Sequence, residues 1–404
     1  MLKKLLTIKF ILIVTILVII FINFNNKIAL ANEENNNNIL SNEENILQDE
    51  DVSNKLNSLY NYINNMKSDV EIINDLDPVE YIKGYINNGE GNLSLKTLGN
   101  AITSFLFKEV KTVLSLSISI IVIAILCSLI KNLQSAFSNE GISNIAFFAC
   151  YSILIIILSK SFLLSINIAI DIIKELSNFM AAILPVLVMI LGSIGGFTQA
   201  ATMDPIIMGA TILIPRIYTT IIIPLILITF VLEFTNNIST EYKIGNLCKL
   251  TKQITIWIQG IILTIFIGLL TVRGIASSTI DAVTLKTAKF AIDNFIPIVG
   301  KAFSDAIASV AGYSLIIKNA VSSIGLIIII LMMLYPIIKL ILIAFVYKLT
   351  AAVIEPISDK RITSSIASAG DSLILLMSCV LSVSLMFFVL LAIMASAGKF
   401  VIGG

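Results

Sequence analysis

The chain has 404 residues, of which 57% are hydrophobic and only 13% charged, with a formal net charge of +1. Soluble globular chains carry about 25% charged residues, so this composition points to an integral membrane protein. A net charge this close to zero argues against a nucleic-acid-binding surface.

In chain order, residues 1–31 read as a secretory signal. Lys3, Lys4 and Lys9 precede a largely apolar run from Phe10 to Phe24, and Ala29-Leu30-Ala31 is an A-x-A-like cleavage site before Asn32-Glu33-Glu34. The alternative is an uncleaved anchor; either way residue 32 emerges on the outer side of the membrane. Residues 32–111 open with the low-complexity run NEENNNNILSNEEN and then carry Leu56, Leu59, Tyr60 and Ile63 at helical spacing. Asp77-Pro78 reads as a turn or helix start. Acids outnumber lysines in this region, which suits a small extracytoplasmic helical region because positive charge favours the cytoplasm.

Residues 112–404 read as an all-α, polytopic membrane domain of about six to eight transmembrane or re-entrant segments. Each crossing needs about 20 apolar residues. The apolar runs are Thr112–Ile130, Ile145–Ile170, Phe179–Ala201, Ile206–Leu232, Ile254–Val272, Ile324–Tyr347 and Ser372–Ala397. Lys160, Arg216 and Lys339 are embedded in three of them. An intramembrane cation marks a candidate pathway, and the competing readings are snorkelling or a packing role.

An internal repeat organises this domain. Leu184-Pro185 recurs as Ile296-Pro297 and Ile223-Pro224 as Tyr335-Pro336, both 112 residues on (185 to 297, 224 to 336). The copies, 145–253 and 254–371, each hold a long span, a proline-interrupted middle and a proline-containing span. Each ends in a basic loop, EYKIGNLCKLTK or EPISDKRI. Paired interrupted segments in two halves point to a transport site. Middles that cross fully would invert the halves and put the two basic loops on opposite sides. Middles that dip in and return leave both loops in the cytoplasm, an arrangement slightly favoured by the basic residues but opposed by Arg273, Lys286 and Lys289 outside. A third arrangement has seven complete crossings with residues 281–305 on the cytoplasmic side.

That stretch, DAVTLKTAKFAIDNFIPIVGKAFSD, is the most polar part of the domain. Lys286, Lys289 and Asp293 share one helical face, Pro297 and Gly300 interrupt the helix, and Lys301 and Asp305 form a further charged pair. Charges and a break at membrane depth are tolerated where backbone is buried in protein or lines a cavity; a surface amphipathic helix between two spans is the plainer reading. The following run, FSDAIASVAGYSLIIKNAVSSIG, is rich in small and hydroxyl residues that suit close helix packing and equally suit a path lining.

No catalytic or cofactor chemistry is visible. There are no histidines, and Cys127, Cys150, Cys248 and Cys379 form no CxxC pair. Walker, GxSxG, HExxH and metal-ligand patterns are absent. Asp281 and Asp204 lie at span ends, where a lone aspartate is usually a helix cap. The chain is therefore expected to be neither an enzyme nor a cofactor or metal carrier.

LIKNLQSAF (129–137), DAVTLKTAKFAIDNFIPIVGKAFSDA (281–306), GYSLIIKNAV (312–321) and EPISDKRI (355–362) resemble the stage III sporulation protein AE family of endospore-forming Firmicutes, across roughly residues 90–404. The resemblance implies a multi-pass protein of the mother-cell membrane around the engulfed forespore. It implies work beside other stage III sporulation A proteins, including a secretion-type ATPase, and with stage II sporulation protein Q from the forespore side, in a channel or secretion-like complex. It carries over no catalytic residues. A self-sufficient secondary transporter of small solutes is the alternative, and an anchor recruiting soluble partners through residues 32–111 is a third.

Overall fold

The computed structural model describes residues 113–115, 117–129, 140–238, 243–295 and 300–397, with single residues at 61 and 110. The signal reading of residues 1–31 and nearly all of the 32–111 region lie outside the described residues. Every described element is helical. The elements are α1 (Val113–Leu129), α2 (Glu140–Ser193), α3 (Phe197–Met208), α4 (Ile214–Ile217), α5 (Ile223–Ile238), α6 (Gly245–Phe295), α7 (Gly300–Ile354) and α8 (Lys360–Ser396). Two π-helical turns, Gly209–Leu213 and Tyr218–Ile222, join α3 to α4 and α4 to α5.

Among the described residues five helical stretches are long and apolar enough to cross a membrane: Phe147–Ser193, Gly209–Ile238, Gly245–Arg273, Ser314–Ile354 and Lys360–Ser396. The two separate spans read at 145–170 and 179–201 are one continuous helix of 54 residues, α2, with Pro185 inside it. At 1.5 Å per residue α2 is about 80 Å long, far more than the roughly 30 Å of a bilayer's hydrocarbon core. Pro185 cannot donate to the carbonyl of Ala181; both residues are on the exposed face, and the helix continues past them to Ser193. The chain reverses ten residues later, where Gly195 adopts φ 93°, a left-handed conformation that glycine takes without a Cβ clash.

The prolines of the returning limb have a different effect. Pro215 lacks the N–H that would bond the carbonyl of Thr211, and Ser177 Oγ on α2 donates to that carbonyl instead, at 2.5 Å. The π-helical turns on either side of α4 spread the same loss over widened backbone.

The chain then runs up and down the bundle in alternation. Lys252 on α6 pairs with Glu233 on α5 at 2.7 Å, and Ser368 Oγ on α8 donates to the same carboxylate. The α5–α6 and α7–α8 connections therefore lie at one end, here the lower end. The Gly195 turn and the start of α3 lie at the upper end, where Asp281 of α6 reaches them. The two basic loops are thus at the same end, as the dip-and-return arrangement requires, although the limbs that carry them run the full height of the bundle. α1 descends beside the end of α7, with Ser117 and Thr350 hydroxyls 2.7 Å apart and Ser128 Oγ donating to the carbonyl of Ile357.

α7 and α8 pack along most of their length and form the centre, with α2 against both and α5 against α8. The α8 span is the most buried and the α6 span the least. Phe162, Phe179, Tyr218, Tyr347 and Phe387 have no exposure at all. Gly325 of α7 sits where α2 and α8 cross it: a Cβ there would collide with Ile183 and Leu391. The small-residue run predicted for close packing provides this approach.

Candidate functional site

Three sets of polar contacts stand out in the bundle. The first is at the upper end and consists of buried charges that meet helix termini. Asp281 is only 2% exposed. Its two carboxylate oxygens accept from the backbone N–H groups of Thr198 and Gln199, each at 2.8 Å. Those are orphan donors of the first turn of α3, whose own N-cap, Gly196, has no side chain to satisfy them. A carboxylate at this place is also favoured by the helix dipole. Lys318 on α7 has no exposure, and its Nζ donates to the carbonyl of Ala397 at the end of α8. An ammonium at a helix C-terminus is the complementary arrangement.

The second set is neutral and lies deep in the bundle. Gln259 on α6 accepts from Ser378 Oγ at 2.9 Å, and its amide nitrogen donates to Cys379 Sγ at 3.2 Å, both on α8. Hydrogen bonds of this kind fix helix register in an apolar medium at about 1 kcal/mol each. The junction is made of an amide, a hydroxyl and a thiol, and carries no full charge.

The third set is the lower rim. Glu233 and Lys252 pair at 2.7 Å, as do Lys348 and Asp371, and Arg361 pairs with Asp359 while stacking over Phe147 with 4.0 Å to the ring centroid. Asp359 also caps α8 by accepting from the N–H of Arg361. Among the described residues no group of three or more His, Cys, Asp or Glu side chains is placed to hold a metal ion.

The residues singled out from the sequence are scattered over this frame. Lys160 on α2 and Arg216 on α4 are both exposed on the outside of the bundle, not in its packed interior. Lys286 is exposed on α6 beyond Asp281. Lys289 and Asp293 fall on α6, and Gly300, Lys301 and Asp305 on α7, but their side chains lie outside the described set, and Pro297 lies outside the described residues. Lys339 is partly buried on α7 and donates to the hydroxyl of Tyr335 at 3.2 Å, its ammonium 5.5 Å from that ring's centroid. Sequence reasoning passed over Lys318, Glu233 and Gln259. It read Asp281 as a cap, and the structure gives it that role, on a helix 83 residues away instead of its own.

A bundle with five helical stretches long and apolar enough to cross a membrane among its described residues is an all-α polytopic membrane protein. The family described as Stage III sporulation protein AE matches residues 76–398. A relative from Bacillus subtilis (strain 168) described as Stage III sporulation protein AE is 34% identical over 312 residues, covering 77% of this chain and 78% of its own. The chain belongs to the stage III sporulation protein AE family, and its role is in sporulation. No solved structure matches it.

Proposed function

We propose that the protein is the polytopic membrane component of a sporulation channel or secretion-like complex linking mother cell and forespore. It resides in the mother-cell membrane around the forespore and has no catalytic activity of its own. It acts with other stage III sporulation A proteins, including a secretion-type ATPase, and with stage II sporulation protein Q.

The observation that favours a component over a self-sufficient carrier is the centre of the bundle. It is filled by large side chains without exposure, among them Phe162, Tyr218, Tyr347 and Phe387. A carrier of small solutes keeps a polar site near the bilayer midplane between its two halves. Here the deep polar junction of Gln259, Ser378 and Cys379 is small, and its hydrogen bonds are used between helices. Such a bundle suits a wall or platform in an assembly of several chains.

The test is paired. Tagged full-length protein isolated from sporulating cells is expected to bring the secretion-type ATPase and other stage III A proteins with it. The same protein reconstituted alone in liposomes is expected to move no small solute. Solute flux by the isolated chain, with no companion proteins recovered from cells, overturns the reading in favour of a secondary transporter.

A further inference from the structure

Two contacts set the returning limb in register against α2. Ser177 Oγ donates to the carbonyl of Thr211, and Phe162 stacks on Phe230 with the ring centroids 3.9 Å apart. Residues 162–177 of α2 therefore stand at the heights of residues 211–230. Over that interval the returning limb exposes Ile212, Leu213, Ile221 and Ile228. The exposed face of α2 carries Leu163 and Leu164 at the bottom of the interval, then Asn167, Asp171 and Lys174, with Asn178 just above it. A polar stripe on α2 thus lies beside apolar surface at one height. Below the stripe α2 itself exposes Ile153, Ile156, Leu163 and Leu164, so the stripe is bordered by apolar surface on its own helix as well.

The apolar surface marks membrane depth. Lys252 pairs with Glu233 at the lower rim. Counted upward from that pair, the exposed apolar run reaches Ile212 on the returning limb and Val272 on α6, 21 and 20 residues away (233 to 212, 252 to 272). Both distances are about 30 Å, the thickness of a bilayer's hydrocarbon core. Arg216 lies four residues inside the upper limit (212 to 216), and Arg273 lies just beyond it. Long cations at such places reach the headgroups, and Lys174, at the height of Arg216, can do the same. Asp171 and Asn167 have short side chains and stand about 10 Å or more below the limit. Among the described residues no ion pair or hydrogen bond engages Asp171 or Lys174. An acid facing lipid at this depth is strongly disfavoured, so another protein surface has to cover it.

We propose that a second copy of this chain covers the stripe, with the two α2 helices side by side and parallel about a twofold axis along the membrane normal. Copies inserted in one membrane share their orientation, and a twofold contact surface must complement itself. The α2 stripe does so. Asp171 and Lys174 are one turn apart on one exposed face. Helical side chains lean towards the N-terminus, which brings the ammonium of Lys174 down towards the level of Asp171. Each Asp171 then accepts from the partner subunit's Lys174, and the charges of the contact balance. Asn167 and Asn178, below and above, are amides that both donate and accept, so each pairs with its own copy across the axis. The exposed positions 164, 167, 171, 174, 178 and 181 alternate steps of three and four residues, the seam of a parallel helix pair. This contact goes beyond the channel reading and does not depend on it.

The test uses the full-length chain in bacterial membranes, with the unmodified chain as background for its four cysteines. Leu164→Cys and Ala181→Cys lie on the seam, and Ile221→Cys is exposed at the depth of the stripe on the returning limb. Under oxidation by copper phenanthroline, the seam variants are expected to form a disulfide-linked dimer at least about fivefold faster than Ile221→Cys. Equal rates overturn the proposal. Two charge variants, each carrying Ala181→Cys and its own tag, then test the pairing. Asp171→Lys alone and Lys174→Asp alone are each expected to lose most of the self-cross-link, because like charges meet. Expressed together, the two are expected to cross-link with each other. Self-cross-linking that ignores both changes, or a mixed cross-link no stronger than the self-cross-links, overturns the pairing. Native mass spectrometry of the unmodified chain in mild detergent serves if a variant fails to accumulate. Two copies are expected; a single copy, or a different protein held in place of the second copy, overturns the proposal.

Discussion

The two ends of the bundle handle charge in different ways. At the lower end opposite charges pair side chain to side chain while partly exposed: Lys252 with Glu233, at 24% and 13% side-chain exposure, and Lys348 with Asp371, at 35% and 27%. At the upper end Asp281 and Lys318 are buried, and the bonds that hold them run to backbone at helix termini. Ion pairs open to water contribute about 0–1 kcal/mol. A buried charge is tolerated only when hydrogen bonds replace its hydration, and helix ends supply orphan N–H and C=O groups for that purpose. The lower rim is therefore adjustable, while the upper contacts fix where α3 starts and α8 stops.

The contrast can be broken most strongly at Gly325. Gly325→Val forces a branched side chain into Ile183 and Leu391, and is expected to destabilise the bundle by about 3 kcal/mol, read as thermal unfolding in nanodiscs. Asp281→Ala removes both acceptors from the first turn of α3, with an expected loss of about 2 kcal/mol. Asp281→Asn, which keeps one acceptor oxygen, should recover part of it. Lys318→Met keeps much of the side-chain volume but leaves the Ala397 carbonyl without this donor, an expected loss of about 1–2 kcal/mol. The smallest effect is at the rim. A double-mutant cycle on Glu233 and Lys252 is expected to give a coupling of no more than about 1 kcal/mol, reduced further by salt. A coupling there larger than the Asp281→Ala loss would reverse the comparison.

The membrane class, the helical content and the basic loops were legible in composition and hydropathy, because a bilayer demands long apolar helices. The continuity of α2 was not. Pro185 and the gap between the runs Ile145–Ile170 and Phe179–Ala201 both read as interruptions, yet the helix runs through both and the turn waits for Gly195. Lys318, between Ile317 and Asn319, looks like any lysine near a span end; only the docking of α8 onto α7 buries it. Asp281 showed its chemistry as a cap, but the helix it caps is set by tertiary contact. The cations that drew attention, Lys160 and Arg216, stand out in hydropathy because they are flanked by apolar residues, and the fold turns both outward.

The account depends most on the two basic connections sharing one side of the membrane. Lys243→Cys and Lys360→Cys, treated with an impermeant thiol reagent, test this directly. Both sites are expected to be protected in intact cells and both labelled in inverted vesicles. Labelling of the two from opposite sides would contradict the alternating bundle described above.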